Sequence, residues 1–143
     1  MSFTFEIVDG DVVITSDGAQ TIEDLGKLQQ DALKLILTNQ GSNLVHRQYG
    51  SRVAEVIGSP IADEGLMTNR IQEAILDGLK YLALLQQQQA LEQDVSSSEQ
   101  LLSVSSVDVK ADDGDERQVN ILIELLAGTL ERTGINIPIV GTE

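Results

Sequence analysis

The chain has 143 residues, 41% hydrophobic and 3% aromatic, with 9 Lys+Arg against 23 Asp+Glu, a formal net charge of −14, one histidine and no cysteine. That length reads as a single domain over 1–143, large enough to bury a core without staples, and the missing cysteines exclude disulfides, thiolate-bound zinc, iron–sulfur clusters and Cys nucleophiles. The negative charge repels phosphate backbones and anionic lipid, so basic protein surfaces are better partners than nucleic acid or membrane, and no apolar run approaches the ~20 residues of a membrane span.

In chain order, Phe3-Thr4-Phe5-Glu6-Ile7-Val8 alternates imperfectly, Asp9-Gly10 carries a type I′ turn signal, and Asp11-Val12-Val13-Ile14-Thr15 is β-branched. This predicts a small N-terminal hairpin, an extension over 1–20. Thr21-Ile22-Glu23-Asp24 reads as a helix start, with a hydroxyl N-cap and two acids in the first turn. The helix should run to about Thr38, with Ile22, Leu25, Leu28, Ala32, Leu35 and Ile36 on one stripe. Asn39-Gln40-Gly41-Ser42-Asn43 is stop-and-turn chemistry, and Arg52-Val53-Ala54-Glu55-Val56-Ile57 is a short helix ended by Gly58-Ser59-Pro60.

From Asp63 to about Gln93 the period is helical again, along Leu66/Met67, Ile71, Ala74/Ile75, Gly78/Leu79, Leu82 and Leu85. Gln86-Gln87-Gln88-Gln89 reads as a solvated helix end. These segments form the helical part, 21–93. Residues 99–143 hold the C-terminal strands. Leu101–Val109 is a strand whose alternation slips between Val104 and Val107, as at a bulge. After the acidic turn Asp112-Asp113-Gly114-Asp115-Glu116, Val119, Ile121, Ile123 and Leu125 alternate with Gln118, Asn120, Leu122 and Glu124, the pattern of a strand with one buried face. Ile135-Asn136-Ile137-Pro138-Ile139-Val140 alternates as well, and Pro138 assigns it to a sheet edge. The fold class is therefore α+β: an antiparallel sheet packed with two main helices, preceded by the hairpin.

Residues that could carry chemistry are few. The acidic turn lacks the Asp-x-Asp-x-Asp-Gly spacing and the closing Glu of a calcium loop. No carboxylate pair stands out as a glycosidase acid and base, since Glu124 falls on the polar face of its strand. His46 has no second His or Cys beside it, and no Gly-rich loop is followed by Lys-Ser/Thr. No catalytic residue, metal site or cofactor is nominated, which shifts weight from enzyme toward binding or assembly.

The stretch Gln30-Asp31-Ala32-Leu33-Lys34-Leu35-Ile36-Leu37-Thr38-Asn39-Gln40-Gly41-Ser42-Asn43, followed by Tyr49-Gly50-Ser51-Arg52-Val53 and Ile57-Gly58, resembles the lysozyme-like baseplate wedge, or sheath-initiator, family of contractile phage tails. Relatives of that family include type VI secretion baseplate subunits. Its pattern is a helix ending in Leu-Thr-x-x-Gly-Ser, a short loop, Tyr-Gly-Ser-Arg, a long amphipathic helix and a late pair of strands. The likeness covers about residues 21–140. Read as residues, Gly41 and Gly50 supply backbone freedom, Ser42 belongs to the turn, Tyr49 packs, and Arg52 caps or pairs with an acid.

The resemblance implies a structural, non-enzymatic subunit of the virion tail baseplate, assembled in the host cytoplasm and present in multiple copies in a symmetric particle. Its implied partners are the larger baseplate wedge proteins and the tail sheath protein, with no nucleic acid and no membrane. Sheath initiation would be strand addition at a sheet edge, for which Ile121, Ile123, Leu125, Ile135, Ile137 and Ile139 mark the candidate strands. The family's Glu-Pro-Arg wedge contact aligns with Glu99-Gln100-Leu101, so Glu99 alone is carried over and the Arg fork is absent. The rival readings are a tail-associated peptidoglycan hydrolase and a cytosolic adaptor that binds peptides at the C-terminal edge.

Overall fold

The structure, a computed structural model, describes residues 4–8, 11–57, 64–112 and 115–140. The predicted turns at Asp9-Gly10 and Gly58-Ser59-Pro60, and the tip of the acidic turn at Asp113-Gly114, lie outside the described residues.

The predicted N-terminal hairpin is instead a three-armed motif. Two-residue strands pair as β1 (Thr4–Phe5) with β6 (Thr21–Ile22), β2 (Ile7–Val8) with β3 (Asp11–Val12), and β4 (Ile14–Thr15) with β5 (Gly18–Ala19), all antiparallel. At the centre, the Glu6 N–H donates to the Gln20 carbonyl (2.9 Å), the Gln20 N–H to the Val13 carbonyl (2.8 Å) and the Val13 N–H to the Glu6 carbonyl (3.0 Å). This closed ring satisfies main-chain groups that such short ladders would leave open. Thr21 therefore sits in a strand and caps no helix.

Helix α1 (Asp24–Leu37) starts behind Glu23, which makes no side-chain cap. Asp24 takes a left-handed φ of 57°, tolerated by aspartate, and its Oδ1 accepts the hydroxyls of Ser96 and Ser98 at 3.0 Å each. The α1 start is thus tied to the segment that leads into the sheet. Leu28, Ala32, Leu35 and Ile36 are buried, as their spacing predicts. Short α2 (Val53–Ile57) buries Val53, and α3 (Glu64–Glu92) buries Ile71, Ala74, Ile75, Leu79 and Leu82. At 29 residues α3 is about 43 Å long.

Strands β7 (Leu101–Asp112), β8 (Asp115–Ala127) and β9 (Arg132–Val140) form one antiparallel sheet in the order β7-β8-β9. The register of β7 on β8 shifts between Val104 and Ser106, where the sequence alternation slips. Val119, Ile121, Ile123, Leu125, Ile135 and Ile137 turn to the core, where α3 packs beside β7 and α1 beside β9. Leu122 and Glu124 face outward. The molecule is an α+β fold with the helices on one face of the sheet and the other face open to solvent. Among the described residues no helix is long and apolar enough to cross a membrane.

Candidate partner-binding surfaces

Strand order separates the predicted strand-addition residues. Ile121, Ile123 and Leu125 lie on β8, the middle strand, whose main chain is paired on both sides. That segment has no edge to offer, which corrects the sequence expectation. Their side chains are fully buried, so they serve the core. Ile135 and Ile137 are also buried, but they stand on β9, whose outer side has no strand neighbour among the described residues. Ile139 pairs through its main chain with Val119. Pro138 lies on this edge strand, as a residue without an N–H should.

The two sheet edges are treated differently. Along β7, helix α3 reaches over with two glutamines fourteen positions apart, hence on nearly the same helix face. Gln72 Nε2 donates to the Val107 carbonyl at 2.9 Å. Gln86 uses both ends of its amide: Nε2 donates to the Glu99 carbonyl (2.8 Å) and Oε1 accepts the Leu101 N–H (2.7 Å). A side-chain amide that joins a carbonyl and an N–H two residues apart imitates a neighbouring strand.

On β9 the corresponding contacts come from Gln29 of α1, which bonds the Thr133 hydroxyl and, at 3.5 Å, the Gly134 carbonyl. Gly134, Asn136 and Pro138 share one phase of the alternation. In an antiparallel strand each residue turns its N–H and C=O the same way, so this phase points outward, and beyond Gly134 no described side chain bonds it. Beside this edge an open slot of about 300 Å³ runs between the N-terminal motif, α1 and β9.

Glu99 does not present a docking carboxylate. It is 0% exposed, its N–H bonds the Ser96 carbonyl at 3.1 Å, and its own carbonyl is held by Gln86. The turn before β7 carries it inward, so the wedge contact expected of it has no surface there.

The Gly-Ser-loop-Tyr-Gly-Ser-Arg residues come together around the C-terminal end of α1. Gly50 has φ 113°, and a Cβ on it would lie 2.6 Å from the Thr38 carbonyl oxygen, so only glycine passes there. Ser51 donates its hydroxyl to the Ile36 carbonyl (2.6 Å) and its N–H to the Thr38 carbonyl (2.9 Å), satisfying acceptors that a helix end leaves free. Gly41 adopts φ 91°, the Ser42 hydroxyl donates to the Asn39 carbonyl at 2.6 Å, and Arg52 Nε donates to Gln40 Oε1 at 2.9 Å. Tyr49 is half-buried, and burial, then the nearby charge of Asp31, raises its pKa. This loop return forms one wall of a cleft of about 450 Å³ with Asp77 and Tyr81 of α3.

His46 is exposed in the same loop, its N–H bonded to Asn43 Oδ1 at 3.1 Å. Among the described residues no three His, Cys, Asp or Glu side chains gather as a metal site. Sequence reading missed Gln29, Gln72 and Gln86, which bond the sheet edges, and Gln30, which holds the N-terminal motif. Their positions next to the apolar stripes of α1 and α3 were the available signal.

No family model matches the chain, and no curated protein matches it in sequence. Among solved structures, it is similar to a crystal structure from Geobacter sulfurreducens described as a "putative tail lysozyme". The likeness has a TM-score of 0.56 at 16% identity and covers 93% of this chain and 98% of that one, so the two share a fold over nearly their whole lengths.

Proposed function

We propose that this chain is a structural, non-enzymatic subunit of a contractile tail, seated in the baseplate wedge, and that it starts the sheath by accepting a strand at the outer edge of β9. One observation carries this reading: the β9 edge is left open along Asn136 and Pro138, whereas on the β7 edge glutamines of α3 bond the Leu101 N–H and the Val107 carbonyl. An edge strand with open main chain is a template for pairing, and folds that do not use an edge cover it. The fold likeness to a protein described as a tail lysozyme supports a tail setting. The net charge of −14 suits docking against basic neighbours and speeds encounter with them.

The test is co-purification of the full chain with the tail sheath and wedge proteins of the same genome. Asn136→Pro removes an outward N–H, in the phase that already accommodates Pro138, and leaves the β8–β9 ladder intact. Sheath binding lost in this variant with wedge binding retained supports the reading. Sheath binding that survives it, or a sheath protein that never binds the wild type, overturns it.

A further inference from the structure

We infer that the slot beside β9 is a specificity pocket for one uncharged aliphatic side chain of the incoming strand, with the N-terminal three-armed motif as its far wall. This rests on the strand-addition reading and goes beyond it, because it states which residue type the partner must place and where.

The slot is lined by Ile7 and Ile22 of the N-terminal motif, Gln29, Gln30 and Leu33 of α1, and the β9 segment from Gly134 to Asn136. None of these residues is charged, in a chain where 22% of residues are. A carboxylate or ammonium entering it would lose water and find no counter-charge, so the lining selects against charged side chains.

Of the polar side chains in the wall, the two glutamines of α1 are already engaged, Gln29 with Thr133 and Gly134. Gln30, 9% exposed, donates Nε2 to the Phe5 carbonyl (2.6 Å) and accepts the Ile7 N–H at Oε1 (2.9 Å), which fixes the three-armed motif to α1. Beside these amides aliphatic surface stays accessible: Ile7 is 37% exposed, and Leu33 and Ile22 are half-buried. Gly26 lets Ile22 lie against the helix, since a Cβ there would stand 2.8 Å from Ile22 Cδ1.

Geometry then fixes which partner residue enters. Residues opposite one another on paired strands share a sheet face. Ile135 points to the helix side, so the residue of the added strand opposite Ile135 points there too, into the slot, while its neighbours turn to the open face.

The experiment measures the affinity of the purified sheath protein for the full chain and for four variants, each checked for an unchanged melting curve. Ile7→Glu places a charge in the slot without touching β9, Ile7→Leu keeps the slot aliphatic, Ile14→Glu puts the same charge on the β4–β5 arm, where Ile14 is exposed and does not line the slot, and Asn136→Pro blocks the edge. The inference expects Ile7→Glu to bind about tenfold weaker or worse, Ile7→Leu and Ile14→Glu to bind like wild type, and Asn136→Pro to lose binding. If Asn136→Pro loses binding but Ile7→Glu does not, strand addition stands and the pocket is overturned. Equal weakening by Ile7→Glu and Ile14→Glu also overturns the pocket, because general repulsion then explains both. If Asn136→Pro binds normally, strand addition itself fails and the pocket with it. Should the chain alone form a dimer that Asn136→Pro dissociates, the occupant is a second copy and the inference is overturned.

Discussion

Gln86 Oε1 accepts the Leu101 N–H at 2.7 Å from inside the protein, where Gln86 is only 5% exposed. Its Nε2 simultaneously holds the Glu99 carbonyl, so one side chain satisfies two main-chain groups at the start of β7. Gln30 repeats the device with the Phe5 carbonyl and the Ile7 N–H. Helix glutamines in this fold act as substitute strands.

Removing the amide leaves both partners buried without a bond. Gln86→Ala should cost about 2–4 kcal/mol, one to two for each orphaned group, and Gln86→Leu should recover little despite filling the space. Gln87→Ala, on the exposed side of the same run, should stay within about 0.5 kcal/mol. Urea unfolding of the three variants decides the matter; equal midpoints for Gln86→Ala and Gln87→Ala would contradict it.

The sequence made some of this legible and hid the rest for physical reasons. Alternation at Val119, Ile121, Ile123 and Leu125 reported a buried strand face, the slip after Val104 reported a bulge, and Pro138 reported an edge, because each is a local main-chain constraint. Alternation does not say whether an edge is paired, so β8 and β9 looked equally available until strand order separated them. The N-terminal motif was misread because Thr4 pairs with Ile22 and Phe5 with Thr21, long-range ladders too short to leave a period. A polar run such as Gln86-Gln87-Gln88-Gln89 normally marks a solvated helix end, yet Gln86 is buried. An aligned motif gives Glu99 its place in the chain but carries no information on its burial.

Leu130 is a second place where local chemistry and conformation disagree. It closes the β8–β9 hairpin with φ 67°, its N–H bonded to the Ala127 carbonyl at 2.9 Å, and its side chain is 71% exposed. A type I turn followed by a left-handed residue is a hairpin geometry that favours glycine. Leu130→Gly should therefore stabilise the protein by about 0.5–1 kcal/mol, whereas Leu130→Ala keeps the left-handed penalty and should gain nothing. A thermal melt in which alanine matches glycine would refute the strain argument.

Lys27 and Asp31 form the buried ion pair of α1, with Nζ 2.6 Å from Oδ2 and side chains 6% and 16% exposed. Lys34 approaches the other carboxylate oxygen at 3.8 Å. Asp31→Asn strands the buried ammonium and should cost about 3 kcal/mol. Lys27→Met should cost less, since Asp31 retains Lys34 and the methionine fills the same volume. Chemical denaturation that ranks Lys27→Met as the worse variant would show that the ammonium is not the group in need of compensation.

Asp31 also bears on Tyr49, and both bear on stability at alkaline pH. Burial first, and the Asp31 charge second, hold the Tyr49 pKa above its ordinary value of 10.0. The folded state thus keeps the phenol neutral while the unfolded chain begins to ionise near that value. Below it both states are protonated and Tyr49's contribution is complete; as pH climbs through and beyond it, the unfolded state releases its proton first and that contribution is lost. Tyr49→Phe should therefore flatten the decline of stability between about pH 9 and about pH 11, and Asp31→Asn should soften it by removing the second cause. The comparison is the change in urea midpoint with pH in each variant. A Tyr49→Phe protein that loses stability over that window as steeply as wild type would assign the alkaline limit to another group.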